Sequence, residues 1–311
     1  MGIPTVIIRG ILESGKTTFI EESLLNGDFG DLGRTLILMQ EEGEVEFNES
    51  ALKKCKASVK AMSKISDWND KNINEVIREY RPQVVFIEVN EMWDFNSMPL
   101  PKYFDVQQVM TIIDGSTFNA YFNNMRQKFV DMIKTTEIAI VNRCKPTEET
   151  SNMKRSLKII NSGMTVIALG EDGKELKLET DLPFSLKNDP ITLKLSDFGA
   201  FYIDSFENKE RYDGKMIEFD CMAVFDRKLP PKSFVAGRLA MTCCVDDIQL
   251  IGHLCAYDGN LKLKNKTWIH LKAIAHYMSF KGSNGDQLVF EAVEISEIPT
   301  PNEDEVLVTL N

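Results

Sequence analysis

The clearest chemistry in the chain lies near its start. Gly10-Ile11-Leu12-Glu13-Ser14-Gly15-Lys16-Thr17-Thr18 fits the spacing G-x-x-x-x-G-K-[ST] of a phosphate-binding loop. Glycines at Gly10 and Gly15 let such a loop wrap tightly, with backbone N–H groups turned toward phosphate oxygens, and the following helix adds its positive N-terminal end. Glu13, Ser14 and Thr18 belong to the same cradle. Lys16 would neutralise the β- and γ-phosphates, and the Thr17 hydroxyl would hold Mg²⁺. The competing reading is a glycine-rich turn that caps an ordinary helix.

Carboxylates and amides recur further on, each after an apolar run. Residues 40–46 read Gln-Glu-Glu-Gly-Glu-Val-Glu, either a solvated acidic turn or a segment whose Glu41 helps hold Mg²⁺ or orient an attacking water. Val84-Val85-Phe86-Ile87-Glu88 ends in an acid after four apolar residues. This is the Walker B arrangement with Glu in place of Asp, and Glu88 would hold Mg²⁺ through water or polarise the nucleophile. Asp114 ends a similar run, where capping of the next helix is the favoured reading. Ile138-Ala139-Ile140-Val141 leads into Asn142-Arg143-Cys144-Lys145. GTPases carry N-K-x-D at this place, and its Asp accepts the guanine N1–H and exocyclic amine. Here Arg143 can replace Lys in stacking on a base, but Lys145 stands where that Asp would be. Lysine only donates, so it cannot accept those protons. Asn142 can still hold a loop or a base.

The elements that must position these residues follow from alternation of apolar runs with helical stretches. Strands are expected at 5–9, 35–39, 84–88, 109–114, 138–142 and 165–169, with a weaker one near 57–62. Helices are expected at 16–25, 72–80, 117–134 and 148–161. Strands buried on both faces and separated by helices imply a mostly parallel α/β sheet, with ligands beyond the strands' C-terminal ends.

On these motifs the first half, residues 3–169, resembles the CobW-like P-loop GTPases, relatives of GTPases that assist nickel and cobalt enzyme maturation. The family loop G-F-L-G-x-G-K-T-T is matched by 10–18 except that Glu13 replaces the middle Gly. N-E-x-G-E is matched by 40–44 with Gln40 for Asn. I-E-T-x-G is matched by Ile87-Glu88-Val89-Asn90-Glu91, with Val89 for Thr and Glu91 for Gly. The resemblance implies Mg²⁺-dependent hydrolysis of GTP, or of another nucleoside triphosphate, coupled to metal delivery or cofactor assembly. The family's C-x-C-C metal motif is absent: only Cys55 stands there, among Lys53, Lys54 and Lys56.

The rest of the chain changes period. A domain at 1–175, a linker at 176–190 and a β domain at 191–311 are expected. Five β segments at 215–225, 233–243, 248–257, 267–280 and 287–298 suit a small barrel, of which an OB-like one is an instance. The stretch from Arg238 through Cys243, Cys244 and Asp247 resembles R-x-x-x-x-C-C-x-A-D in the C-terminal domain of a poorly characterised family of permease subunits. Thiolates with a nearby imidazole suit Zn²⁺, so Cys243 and Cys244 with His253 and Cys255 form a candidate metal set. Buried structural cysteines are the alternative.

Composition bounds the rest. The chain has 311 residues, 43% hydrophobic and 27% charged, with a net charge of −11, which argues against a general nucleic-acid binder. No apolar run is long enough to span a membrane, and no signal-peptide pattern opens the chain, so a cytoplasmic protein with reduced cysteines is expected. The leading expectation is a GTPase switch coupled to metal homeostasis or a membrane-transport partner, such as a metal-dependent protein or a permease subunit. A non-catalytic nucleotide-responsive adaptor and a metal-binding regulator acting through its C-terminal cysteines are the alternatives.

Overall fold

The computed structural model describes residues 2–176, 182–241, 248–258, 261–280 and 286–308. It divides into two units, Met1–Thr150 with Met164–Lys177, and Ser151–Gly163 with Leu178–Asn311. Among the described residues no helix is long and apolar enough to cross a membrane.

In the first unit the apolar runs form a parallel sheet. Its elements in chain order are β1 (Ile3–Arg9), α1 (Lys16–Asn26), β2 (Thr35–Met39), α2 (Glu49–Lys54), β3 (Ala57–Ala61), α3 (Asp70–Tyr80), β4 (Val84–Glu88), β5 (Phe104–Asp114), α4 (Phe118–Asn124), α5 (Arg126–Lys134) and β6 (Ile138–Cys144). Then come α6 (Glu148–Ile160) and β7 (Thr165–Gly170). The seven strands lie in the order β3-β2-β4-β1-β5-β6-β7, and all neighbours are parallel. Successive side chains of a strand point to opposite faces, so the sheet carries two cores. Ile7, Leu38, Val85 and Ile87 pack with Trp68, Ile73 and Val76. Val6, Ile8, Ile37 and Phe86 pack with Ile20 and Met110. Hydrophobic periodicity on both faces is what made the α/β reading possible, and this is a P-loop NTPase fold.

The strand order positions the site. β1 lies between β4 and β5, with Ile8 level with Glu88, while β2 on the far side of β4 sets Met39 level with Glu88. The loops after β1, β2 and β4 therefore leave one edge side by side, as ligand-binding loops of open parallel sheets do.

Two elements differ from expectation. The helix foreseen over 117–134 is broken at Met125 (φ −127°, ψ 35°), which separates α4 from α5. Phe118 and Phe122 of α4 and Phe129 of α5 pack their rings together across that break, and burying such rings outweighs the loss of continuous helix. In addition α2, a short helix capped by the Asn48 side chain on Ser50 and Ala51 N–H, fills a stretch with no apolar periodicity.

The second unit takes most of α6, whose Ile159 joins its core. The Ile159 carbonyl accepts from Gln249 Nε2 at 3.1 Å, and Lys154 pairs with Glu207 at 3.2 Å. Its other elements are β8 (Ile191–Thr192), α7 (Phe198–Glu207), β9 (Met216–Val224), β10 (Ser233–Met241), β11 (Ile248–Ala256), β12 (Thr267–Ser279), β13 (Asp286–Glu297), α8 (Glu303–Val306) and β14 (Leu307–Val308). The five long strands match the five segments foreseen. They pair in the order β10-β11-β13-β12-β9, and β9 pairs again with β10, closing the ring. All these pairings are antiparallel except β11 with β13, which is parallel. That closed Greek-key order is the OB-like arrangement. Phe219, Phe234, Leu271 and Phe290 fill the interior with Phe198 and Phe201 of α7.

Candidate functional site

The loop between β1 and α1 holds the backbone that its glycines permit. Gly10 has φ +145° and Gly15 +96°. A Cβ on Gly10 would stand 2.4 Å from the Ile112 carbonyl oxygen and 2.6 Å from Ser14 Oγ. Glu13 has φ +63°, a left-handed conformation that bulky residues rarely adopt. This is the position where the family pattern has glycine. The Glu13 carboxylate accepts from Glu44 N–H at 3.0 Å, a contact that ties the loop to the acidic segment and helps hold the strained backbone.

Gly15 caps α1 without a side-chain hydrogen bond, and the first-turn N–H groups of a helix have no partner inside it. Lys16, buried, donates from Nζ to Gly10 O at 2.8 Å and Ile11 O at 3.3 Å, and pairs with the Glu41 carboxylate. Thr17 Oγ1 donates to Glu88 Oε1 at 2.9 Å. Thus Lys16, Thr17, Glu41 and Glu88, far apart in sequence, meet at one sheet edge. Glu13, Gly15, Thr18 and Arg143 join them in lining a cleft of about 40 Å³.

Glu88 is the site's electrostatic focus. Burial pushes its carboxyl up to about 7, against the opposing pull of the Lys16 ammonium and the Thr17 hydroxyl, while Glu41 adds to the rise. Its Oε2 is buried without a hydrogen-bond partner. An orphaned carboxylate oxygen is costly, and a cation is the partner that would relieve it. With Thr17 Oγ1 it makes a hard oxygen pair that fits Mg²⁺. Gln40 braces the same region: its N–H donates to Glu88 O at 3.0 Å, and its side-chain oxygen accepts from Asn90 N–H at 3.2 Å.

The end of β6 docks on the phosphate loop. Asn142 Nδ2 donates to Ser14 O at 2.8 Å, and Arg143 Nη1 donates to Glu13 O at 3.3 Å. Arg143, with φ +53° and a half-exposed side chain, also pairs with Asp114. Asp114 does not cap the α4 helix as foreseen: its Oδ1 accepts from Ser116 N and Oγ at 2.8 and 2.6 Å, and its Oδ2 takes Arg143. The serine and arginine contacts outweigh partial burial and hold its carboxyl below the usual range.

Sequence reasoning missed one buried pair. Arg9 at the end of β1 meets Glu91 with Nε to Oε1 at 2.7 Å and Nη2 to Oε2 at 2.9 Å. Arg9 also donates to Thr135 Oγ1 at 2.6 Å, and the Glu91 carbonyl accepts from Lys128 Nζ at 3.1 Å. An arginine closing an otherwise apolar strand, and an acid in place of the family glycine, were the available signals.

The C-terminal metal set stands differently. Cys243 and Cys244 lie outside the described residues. His253 is enclosed by the rings of Phe201, Tyr202, Phe206 and Phe290, and its Nε2 lies 3.0 Å from Ser205 Oγ. Burial pushes its imidazole down to about 3 and the Cys255 thiol up to about 12. Among the described residues no three His, Cys, Asp or Glu side chains are grouped to hold a metal ion. His253 and Cys255 are thus core residues of the second unit. Cys55 is half-buried against the sheet core at the end of α2.

A family model described as CobW/HypB/UreG, nucleotide-binding domain, matches residues 4–168, and one described as DUF1980 C-terminal domain matches residues 169–307. The likeness of the second half to permease subunits rests on its sequence motif alone. No curated protein matches the chain. Among solved structures, the hydrogenase maturation factor HypB from Archaeoglobus fulgidus is 14% identical, covering 56% of this chain and 84% of that one, with a TM-score of 0.40. The Zn(II)-bound YjiA GTPase from E. coli is 16% identical over 71% of this chain and 72% of that one, with a TM-score of 0.42. HypB from Helicobacter pylori in complex with nickel is 12% identical over 55% and 80%, with a TM-score of 0.38.

Proposed function

We infer that this chain, which belongs to the CobW/HypB/UreG nucleotide-binding family, is a Mg²⁺-dependent nucleoside triphosphatase that uses hydrolysis to switch its acidic segment. The observation that carries this is the buried, unpartnered Glu88 Oε2 beside the Thr17 hydroxyl, under the Lys16 ammonium. Mg²⁺ held by Thr17 and Glu88 would supply charge neutralisation at the β- and γ-phosphates. The protein's own residues do the rest. The loop from Gly10 to Thr18 binds the phosphates through backbone N–H groups, and Lys16 neutralises their charge as it spreads in the transition state. Glu41, freed from Lys16, orients water.

The switch follows from what Lys16 holds now. Glu41 occupies the position over the ammonium that a phosphate would claim. Phosphate binding would release Glu41 and, through Glu13 and Glu44, move the segment 41–46. A change of that kind alters affinity for a partner. The family resemblance makes that partner a metal-dependent protein or a transport component. Localisation in the cytoplasm accords with that role.

The test is Mg²⁺-dependent phosphate release from GTP and ATP by the full chain, with Lys16→Ala as control. Release that exceeds the control by at least about tenfold is expected. Release equal to the control from both nucleotides, with nucleotide still bound, would favour the non-catalytic adaptor.

A further inference from the structure

We propose that Lys145 sets the base preference of this nucleotide site, and that the site takes adenine nucleotides at least as tightly as guanine nucleotides. This rests on the phosphate-site reading above and names the substrate class within it.

The base loop keeps its mounting. Asn142 Nδ2 holds Ser14 O, Arg143 Nη1 holds Glu13 O, and a Cβ on Gly15 would stand 2.9 Å from Asn142 Nδ2. The Lys145 carbonyl accepts from Thr147 N at 2.8 Å and Thr150 Oγ1 at 2.5 Å, which fixes the loop beyond it. Cys144 is buried, with Sγ donating to Val141 O at 3.4 Å, and Lys145 is exposed. Lys145 stands where N-K-x-D has the Asp that reads the Watson–Crick edge, so a base resting beside Arg143 would meet its ammonium there.

Hydrogen-bond chemistry separates the purines at that edge. Guanine presents N1–H and a 2-amino group, both donors, and an ammonium offers nothing to accept them. Adenine presents N1, an acceptor, which an ammonium can serve. A polar site that leaves donor facing donor discriminates strongly against that ligand.

Three carboxylates at or beyond the ends of β5, β6 and β7 already have partners. Both oxygens of Asp114 are engaged by Ser116 and Arg143. Glu149 accepts from Asn119 Nδ2. Asp172, after β7, accepts from Lys174 N at 3.1 Å and pairs with its ammonium. Glu171, exposed in the same turn, is the carboxylate to control for.

Dissociation constants of Mg-ATP, Mg-GTP and tripolyphosphate are measured by calorimetry for the full chain, Lys145→Asp and Glu171→Gln. The wild type should bind ATP as tightly as GTP or more tightly. Lys145→Asp restores two charge-assisted acceptors and should shift the ATP/GTP ratio toward GTP by at least about tenfold. Glu171→Gln should leave the ratio unchanged. Wild-type preference for GTP by more than about threefold, an unshifted ratio in Lys145→Asp, or a ratio that collapses in Glu171→Gln would each overturn the assignment. Tripolyphosphate keeps the two readings apart. If it binds and GTP is preferred, only the base assignment fails; if it does not bind, the phosphate site fails as well.

Discussion

Replacing Glu88 with Gln should stabilise the empty protein at high pH while abolishing its response to Mg²⁺. Burial raises the Glu88 carboxyl from 4.5 to about 7. At about 1.4 kcal/mol per tenfold, ionising it in the empty site costs about 3 kcal/mol. Because its value is raised on folding, its contribution to stability is fully present below 4.5 and is lost as pH rises through about 7. The wild type should therefore lose about 3 kcal/mol between pH 4.5 and pH 8 from this group, and Glu88→Gln should not. The assay is native-state hydrogen exchange of β1 and β4 amides, without Mg²⁺ or nucleotide, which reports the first unit alone. The advantage of Glu88→Gln over wild type should grow from about zero at pH 4.5 to about 3 kcal/mol at pH 8. With nucleotide present throughout, adding Mg²⁺ should then raise protection in the wild type and leave the variant unchanged. An advantage of the same size at both pH values would refute the reasoning, because burial of the charge would not be the cause.

Glu91→Ala leaves the Arg9 guanidinium buried beside Phe95 without its bidentate partner. Urea denaturation should show a loss of about 3 kcal/mol, whereas Arg9→Met with Glu91→Leu should cost under about 1 kcal/mol; a Glu91→Ala loss below about 0.5 kcal/mol would count against the pair. His270 bridges Asp220 at 2.7 Å and Glu218 at 2.8 Å, and Asp220 first, then Glu218, raise its imidazole above 6.5. Its contribution to barrel stability should be full below 6.5 and fade as pH rises through the raised value. The side chain is partly exposed, so the effect of His270→Gln at pH 6 should stay below about 1 kcal/mol. An NMR titration of His270 at or below 6.5 would contradict the bridge.

How much of this was legible in the sequence depends on the range of the interactions. The phosphate loop, its flanking strand and helix, and the acid that ends β4 are local patterns, and spacing alone announces them. The five barrel strands were equally visible, because alternation is a property of one strand. Their number suggested a small barrel, but which strands pair in it was not legible. The parallel pairing of β11 with β13 and the second partner of β9 join residues far apart in sequence, and no local periodicity encodes them. The same limit explains why most of α6 packs with the second unit although its sequence lies between two strands of the first. It also explains His253 and Cys255. Their spacing allowed a shared strand face, but only the rings from α7 and β13 show that the face is the barrel core.

The departures from the family pattern separate into two kinds. Glu13 replaces a glycine and sits at φ +63°, yet its carboxylate gains the Glu44 N–H. Glu91 replaces another glycine, and Arg9 stands ready to receive it. Each of these strained or charged substitutions has a partner in the structure that absorbs it, so each leaves the loop geometry in place. Lys145 is different. It is exposed, and its loop is held by backbone and by Asn142 and Arg143 rather than by its own side chain. The Asp114, Glu149 and Asp172 carboxylates that could offset the lost acid are already engaged. A replacement the fold does not need acts on whatever meets that side chain from solution. Beside the phosphate loop, that is the base of a nucleotide.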